Sequence, residues 1–183
     1  MSSARKELLD RVISHVATNG MMDTSLRTLA AAIGTSHRML IYHFRSREGL
    51  LAATVHRIEH DQRVALEHLA RTAESPAALI RTQWAQLTDP ALIPFIRLFF
   101  EVFAYASLGR EGTEGFLENV TDPWIEMAGD VAARMGLATT EAELRLGVAV
   151  SRGLLMEVVA GADVATATES LERYLEIWEH ASR

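Results

Sequence analysis

The densest chemistry in the chain lies in twelve residues, "SHRMLIYHFRSR" (36–47), which hold three arginines, two histidines and a tyrosine. Arg38 and Tyr42 are spaced i, i+4 and share one face of a helix. An arginine there can form two hydrogen bonds to a guanine edge, and a tyrosine hydroxyl can reach a phosphate oxygen. Met39 and His43 fall on the same face, whereas Leu40, Ile41 and Phe44 fall opposite and are expected to pack inward. His37 lies near the core side of the wheel but at the first turn. Arg47 opens the next helix, where free main-chain N–H groups and the helix dipole also favour an anion. These side chains suit the grip of a polyanion rather than bond breaking.

Two short helices must carry the set. Leu26, Leu29, Ala30 and Ile33 mark the first, and Gly34 ends it as a left-handed cap residue. Ser36 can cap the second, about Arg38–His43. Two short helices joined by a glycine turn form a helix-turn-helix, in which one helix braces across phosphates and the other enters the major groove. The same shape also serves plain packing in all-α proteins. Charge favours the first use. Residues 1–47 carry seven Lys/Arg against three Asp/Glu, whereas residues 48–183 carry eleven against twenty-one, in a chain of net charge −6. A basic end on an acidic body points to a polyanion bound at that end.

The rest of the 183-residue chain reads as helical throughout, about nine helices in an all-α fold. A first amphipathic helix covers Ala4–Asn19 and stops at Gly20. A long fourth helix, capped by Ser46, runs from Arg47 to about Thr72. Ser75-Pro76 and Asp89-Pro90 open helices near 76–88 and 90–107. "GREGTEG" (109–115) is a loop, and the helix after it, to about Met135, is kinked or restarted at Asp122-Pro123. Thr140 and Glu143 form a capping box for a helix to about Ala160, and the last helix covers about Val164–His180. Hydrophobic residues make up 49%, enough for a core, and there is no cysteine. The N-terminus lacks a signal peptide's apolar core, and no apolar run reaches the roughly 20 residues of a membrane span. A soluble, cytoplasmic protein without a membrane partner is expected. No nucleophile–base set or phosphate loop is visible, so neither catalysis nor a cofactor is expected. His56 and His60, with Asp61 adjacent, have metal-compatible spacing but do not complete a tetrahedral site, so no metal is expected.

Residues 8–55 resemble the DNA-binding domain of TetR-family transcriptional regulators. The matching stretches are "LLDRVISHVATNG", "TSLRTLAAAIGTS" and "LIYHFRSREGLLAA". The resemblance implies a DNA-binding domain over 1–47 and a ligand-binding and dimerisation domain over 48–183. It places Ser25, Tyr42, His43 and Arg47 at phosphates, and Arg27, His37, Arg38 and Met39 at base edges, with Ser36 opening the reading helix. Two positions depart from the family pattern. Ile41 stands where a tyrosine is usual, and Arg38 stands where a glycine or another small residue is common, so the operator sequence does not carry over. The family's logic implies a repressor released when a ligand moves the middle helices, tilts the fourth helix and takes the two reading helices out of register.

The body offers an aromatic set: Trp84, Phe95, Phe99, Phe103, Phe116 and Trp124. It fits either a core or the wall of an apolar pocket, with Glu101, Tyr105 and Asn119 for polarity. The pocket reading predicts a small apolar or aromatic effector. Helix 141–160 is apolar nearly all round and must be covered on several sides. Val148, Ser151 and Leu155, with Leu171, Tyr174 and Trp178 of the last helix, are the candidate contacts of a homodimer, and burial within one chain is the alternative. A palindromic site on double-stranded operator DNA needs two readers and favours the dimer. The rival function is a helical small-molecule-binding protein that does not act through DNA.

Overall fold

The computed structural model describes residues 3–19 and 25–181. The expected stop at Gly20 lies outside the described residues. Nine α-helices and no strand occur among the described residues: α1 (Ser3–Asn19), α2 (Leu26–Ala32), α3 (His37–Phe44), α4 (Arg47–Leu69), α5 (Pro76–Leu87), α6 (Ile93–Ser107), α7 (Asp122–Arg134), α8 (Glu141–Val159) and α9 (Val164–Ala181). A short 3-10 turn, Leu117–Asn119, precedes α7.

Helix starts follow local side-chain chemistry. Ser25, Ser36 and Ser75 each accept a hydrogen bond from the main-chain N–H three residues on. Each such cap stabilises its helix by about 1 kcal/mol. Thr140 and Glu143 close a full capping box, with the Thr140 N–H 2.7 Å from Glu143 Oε2. Asp89 also caps, accepting the Ala91 N–H at 2.8 Å, but residues 90–92 form a turn and α6 begins only at Ile93. The long helix stops at Leu69 rather than Thr72, and Asp122 with Pro123 at the first turn restarts the chain as α7.

The chain divides into two compact units, Met1–His60 with Pro94–Glu118, and Asp61–Ile93 with Asn119–Arg183. In the first, Leu8, Leu9, Val12 and Val16 of α1, Leu29 of α2, Leu40 and Phe44 of α3, Leu50 and Leu51 of α4, and Leu98 and Val102 of α6 are almost fully withdrawn from water. Burial of each such side chain contributes about 1.5–3 kcal/mol. In the second, Leu66, Leu79, Met127 and Val131 form a buried cluster on which Leu69 and Trp124 pack. There Arg81 of α5 grips Glu172 of α9 with three hydrogen bonds of 2.7–3.0 Å, and Arg152 of α8 donates to Thr121 Oγ1 and the Val120 carbonyl before α7.

Candidate nucleic-acid interface

The turn between α2 and α3 is built on Gly34, at φ +68, which reverses the chain where a side chain would be strained. The Thr35 N–H donates to the Ala30 carbonyl at 2.8 Å and so closes the end of α2. Helix α1 holds the motif at its central turn and at its far end. Arg11 Nη1 donates to the carbonyls of Ile33 at 2.9 Å and Gly34 at 3.4 Å, where the α2 dipole leaves partial negative charge. Arg5 Nε donates to the His43 carbonyl at 3.3 Å, and its guanidinium lies 5.0 Å over the Phe44 ring. Both arginines count only as charge in a sequence reading; their spacing carries no sign of which carbonyls they meet.

Helix α3 presents His37, Arg38, Met39 and Tyr42 to solvent, with Tyr42 77% exposed, α2 presents Arg27, and the capping residues Ser25 and Ser36 are exposed as well. Two positions differ from the wheel. Ile41 is exposed at 36% although it was expected to pack beside Leu40 and Phe44. His43 was expected on the open face but is half-buried, and its Nε2 is buried without a hydrogen-bond partner. Both lie about 80° from the centre of the buried Leu40–Phe44 face, where the wheel does not decide. The His43 ring meets Tyr42 edge-on at 4.9 Å.

At the junction with α4, Arg45 takes a left-handed backbone, φ +67, uncommon for a residue with a side chain. Ser46 Oγ accepts the Gly49 N–H at 2.9 Å and donates to the Glu111 carbonyl at 2.7 Å. Arg47 does not stand free. Its Nη1 lies 3.0 Å from Glu101 Oε1 on α6, and the Tyr105 hydroxyl donates to the same oxygen at 2.9 Å. Burial opposes the charge of Arg47, but the Glu101 carboxylate outweighs it and raises the arginine's pKa. The bond to Glu101, aided by burial, raises that of Tyr105. Glu101 and Tyr105, expected to lend polarity to the aromatic set, are engaged here: Glu101 binds Arg47, and Tyr105 binds Glu101.

The aromatic set is divided. Phe95, Phe99, Phe103 and Phe116 belong to the first unit, and Trp84 and Trp124 to the second. Phe99 is the hub of its group, with Phe103 and Phe116 at 6.4 and 6.3 Å, while Phe103 is 43% exposed. Trp84 is buried and donates to Thr168 Oγ1 at 2.8 Å, and Arg63 lies 5.6 Å over the Trp124 ring. Among the proposed dimer contacts, Leu155 and Leu171 are buried within the chain itself, whereas Val148, Ser151, Tyr174 and Trp178 are half-buried. The Tyr174 hydroxyl lies against Gly147, where an added Cβ would come within 3.2 Å. The large exposed apolar residues of α8 and α9 are Leu146, Met156, Val164 and Ile177. His56 and His60 are both exposed, and no group of three or more His, Asp or Glu able to hold a metal ion occurs among the described residues. None of the described helices is long and apolar enough to cross a membrane.

A braced helix pair with an open, basic second helix, at the head of an all-α chain, has the form of a helix-turn-helix DNA-binding domain. Residues 13–54 match the family model of the bacterial regulatory proteins of the tetR family. No curated protein sequence matches the chain. Among solved structures, a Rhodococcus sp. protein assigned to the TetR-family transcriptional regulators superposes with a TM-score of 0.72 at 21% identity, over 97% of this chain and 98% of its own. A protein from Saccharomonospora viridis, assigned as a transcriptional regulator and solved with choline, gives 0.66 at 21%, over 96% and 97%. The multidrug binding protein EbrR, solved with imidazole, gives 0.63 at 22%, over 94% and 90%. Residues 13–54 are thus a TetR-family DNA-binding domain, and the chain as a whole takes the fold of TetR-family transcriptional regulators.

Proposed function

We propose that the protein is a cytoplasmic, ligand-responsive repressor that binds palindromic operator DNA as a homodimer and is released by a small apolar or aromatic effector. It acts by binding and not by catalysis. The observation that carries the reading is α3, a helix tied by α1 at its last turn and at the turn leading into it, which points Arg38, Met39 and Tyr42 outward. In this reading residues 1–47 meet DNA and residues 48–183 serve the effector and the second copy. Arg27, His37, Arg38 and Met39 read base edges, and Ser25, Tyr42, His43 and Arg47 meet phosphates; for His43 this requires its ring to turn outward. The choline and imidazole complexes of the two structural neighbours support a small-molecule effector. The ring group around Phe99 suits one with little charge to neutralise.

For the dimer, the contact surface moves outward from the buried Leu155 and Leu171. Ala142, Leu146, Ala149, Gly153 and Met156 follow each other at steps of four and three along α8, and all but the half-buried Gly153 are exposed. Nothing within 4 Å would meet a Cβ on Gly153, so a second helix can approach closely there.

Titration with operator DNA at several salt concentrations tests the reading. Arg38→Ala should cost ~1–3 kcal/mol on the operator and relax preference at one base position. Arg47→Ala should weaken binding on all sequences alike and flatten the salt dependence. Unchanged operator affinity in both variants would remove the assignment and leave the small-molecule-binding protein.

A further inference from the structure

We propose that Glu101 is an internal occupant of the place a DNA phosphate takes on Arg47, so that the chain restrains its own DNA binding until this pair exchanges. The inference rests on the reading that the start of α4 meets DNA. Its basis is the three-residue set already described: one carboxylate oxygen, Glu101 Oε1, takes the guanidinium at 3.0 Å and the Tyr105 hydroxyl at 2.9 Å. A carboxylate oxygen presents an arginine with the same anionic acceptor as a phosphate oxygen. Tyr105 lies one turn beyond Glu101 on α6, and its bond holds the carboxylate toward α4. Arg47 and Glu101 are each about a quarter exposed, so the pair is shielded but within reach of solvent and of an incoming anion.

The neighbouring backbone determines how the exchange happens. The loop after α6 is fastened to the same junction by the Ser46–Glu111 hydrogen bond and by the approach of Gly112 to Gly49. With the loop held, the start of α4 cannot simply swing away from α6, and the release of Arg47 is a side-chain movement. A second outcome of the same geometry has the opposite sign. If Glu101 steadies Arg47 while a free guanidinium N–H meets the phosphate, loss of the carboxylate weakens DNA binding.

The test uses the full chain and sheared, mixed-sequence duplex DNA at low salt, because a phosphate contact needs no operator. Glu101→Gln and Tyr105→Phe are each measured alone and with Arg47→Gln, with helical content checked by circular dichroism. Glu101→Gln should tighten binding about two- to five-fold, the worth of a partly exposed ion pair. Tyr105→Phe should tighten it by less, with no change of net charge. Both gains should vanish when Arg47→Gln is present, since coupled residues are not additive. Unchanged or weaker binding in either single variant overturns the inference. So does tightening by Glu101→Gln that survives Arg47→Gln, because that is the general effect of removing a negative charge. If the unaltered chain shows no salt-dependent DNA binding, the DNA-binding reading itself falls and this inference with it.

Discussion

The approach of Gly112 to Gly49 can be weighed against a control within the same loop. Gly112 has φ +88, and a Cβ there would come 2.7 Å from both Gly49 Cα and Ser46 Oγ. Gly109 has φ +63, and a Cβ there would meet nothing within 4 Å. Gly109→Ala therefore reports the left-handed backbone alone, about 1–2 kcal/mol. Gly112→Ala adds overlap with packed backbone, about 1–3 kcal/mol more, because Gly49 Cα and N cannot turn aside and Ser46 Oγ is held by two hydrogen bonds. A chain of this size loses about 2–4 °C in Tm per kcal/mol, so the two variants should separate clearly in a melt. Urea unfolding of each, at constant m, supplies the difference in free energy. Gly49→Ala gives the converse check. It gains up to about 1 kcal/mol in helix propensity, yet its Cβ would overlap the Phe44 carbonyl and come 3.3 Å from Gly112 Cα, so a net loss is expected. Equal costs at 109 and 112, or a stabilising Gly49→Ala, would refute the close approach and the fastening of this loop to α4.

Three further outcomes are expected. Leu146→Glu, which places a charge on an exposed α8 residue, should yield folded monomers in sedimentation, whereas Leu155→Glu should unfold the chain by burying a carboxylate; a Leu146→Glu variant that assembles like the unaltered protein would move the interface off this stripe. An aromatic or hydrophobic effector should raise Tm and weaken operator binding, and Phe99→Ala should reduce both effects while leaving DNA binding without effector in place; an undiminished response would place the pocket away from Phe99. The Glu143 carboxyl is held below the ordinary carboxylate range by the Thr140 main-chain N–H, and then by the Thr140 hydroxyl. A depressed native pKa means that this stabilisation is present above the unfolded pKa and lost as pH falls through the lower native one, so Glu143→Gln should flatten the acid limb of the urea midpoint against pH.

Local chemistry is legible in the sequence. Serine caps, the Thr140–Glu143 box and the Gly34 turn each depend on residues at most a few positions apart, and each forms as its spacing requires. So does the inward pair Leu40 and Phe44 of α3. The wheel failed at its margins, for Ile41 and His43, because a helix face has a width that the neighbouring helices set. It also could not decide whether Leu155 and Leu171 meet their own chain or a second copy. An apolar side chain signals that it will be covered and says nothing about by what.

The partners of the arginines were invisible for a different reason. In the sequence, all seven basic residues of 1–47 add equally to the positive end. In the structure they differ in kind. Arg5 and Arg11 give hydrogen bonds to main-chain carbonyls and brace the motif, and Arg47 is paired with Glu101, 54 residues away. Lys6, Arg27, Arg38 and Arg45 remain as exposed cations. Charge counting therefore overstates what can be offered directly to phosphates and misses what orders the reading helix. A phosphate contact adds affinity on any sequence, whereas selectivity requires a base-reading side chain to be held in place. Arg5 and Arg11 supply that hold from α1. Under the proposed function, the charge asymmetry of the chain draws DNA to the basic end, and the two bracing arginines give Arg38 a fixed place from which to read it.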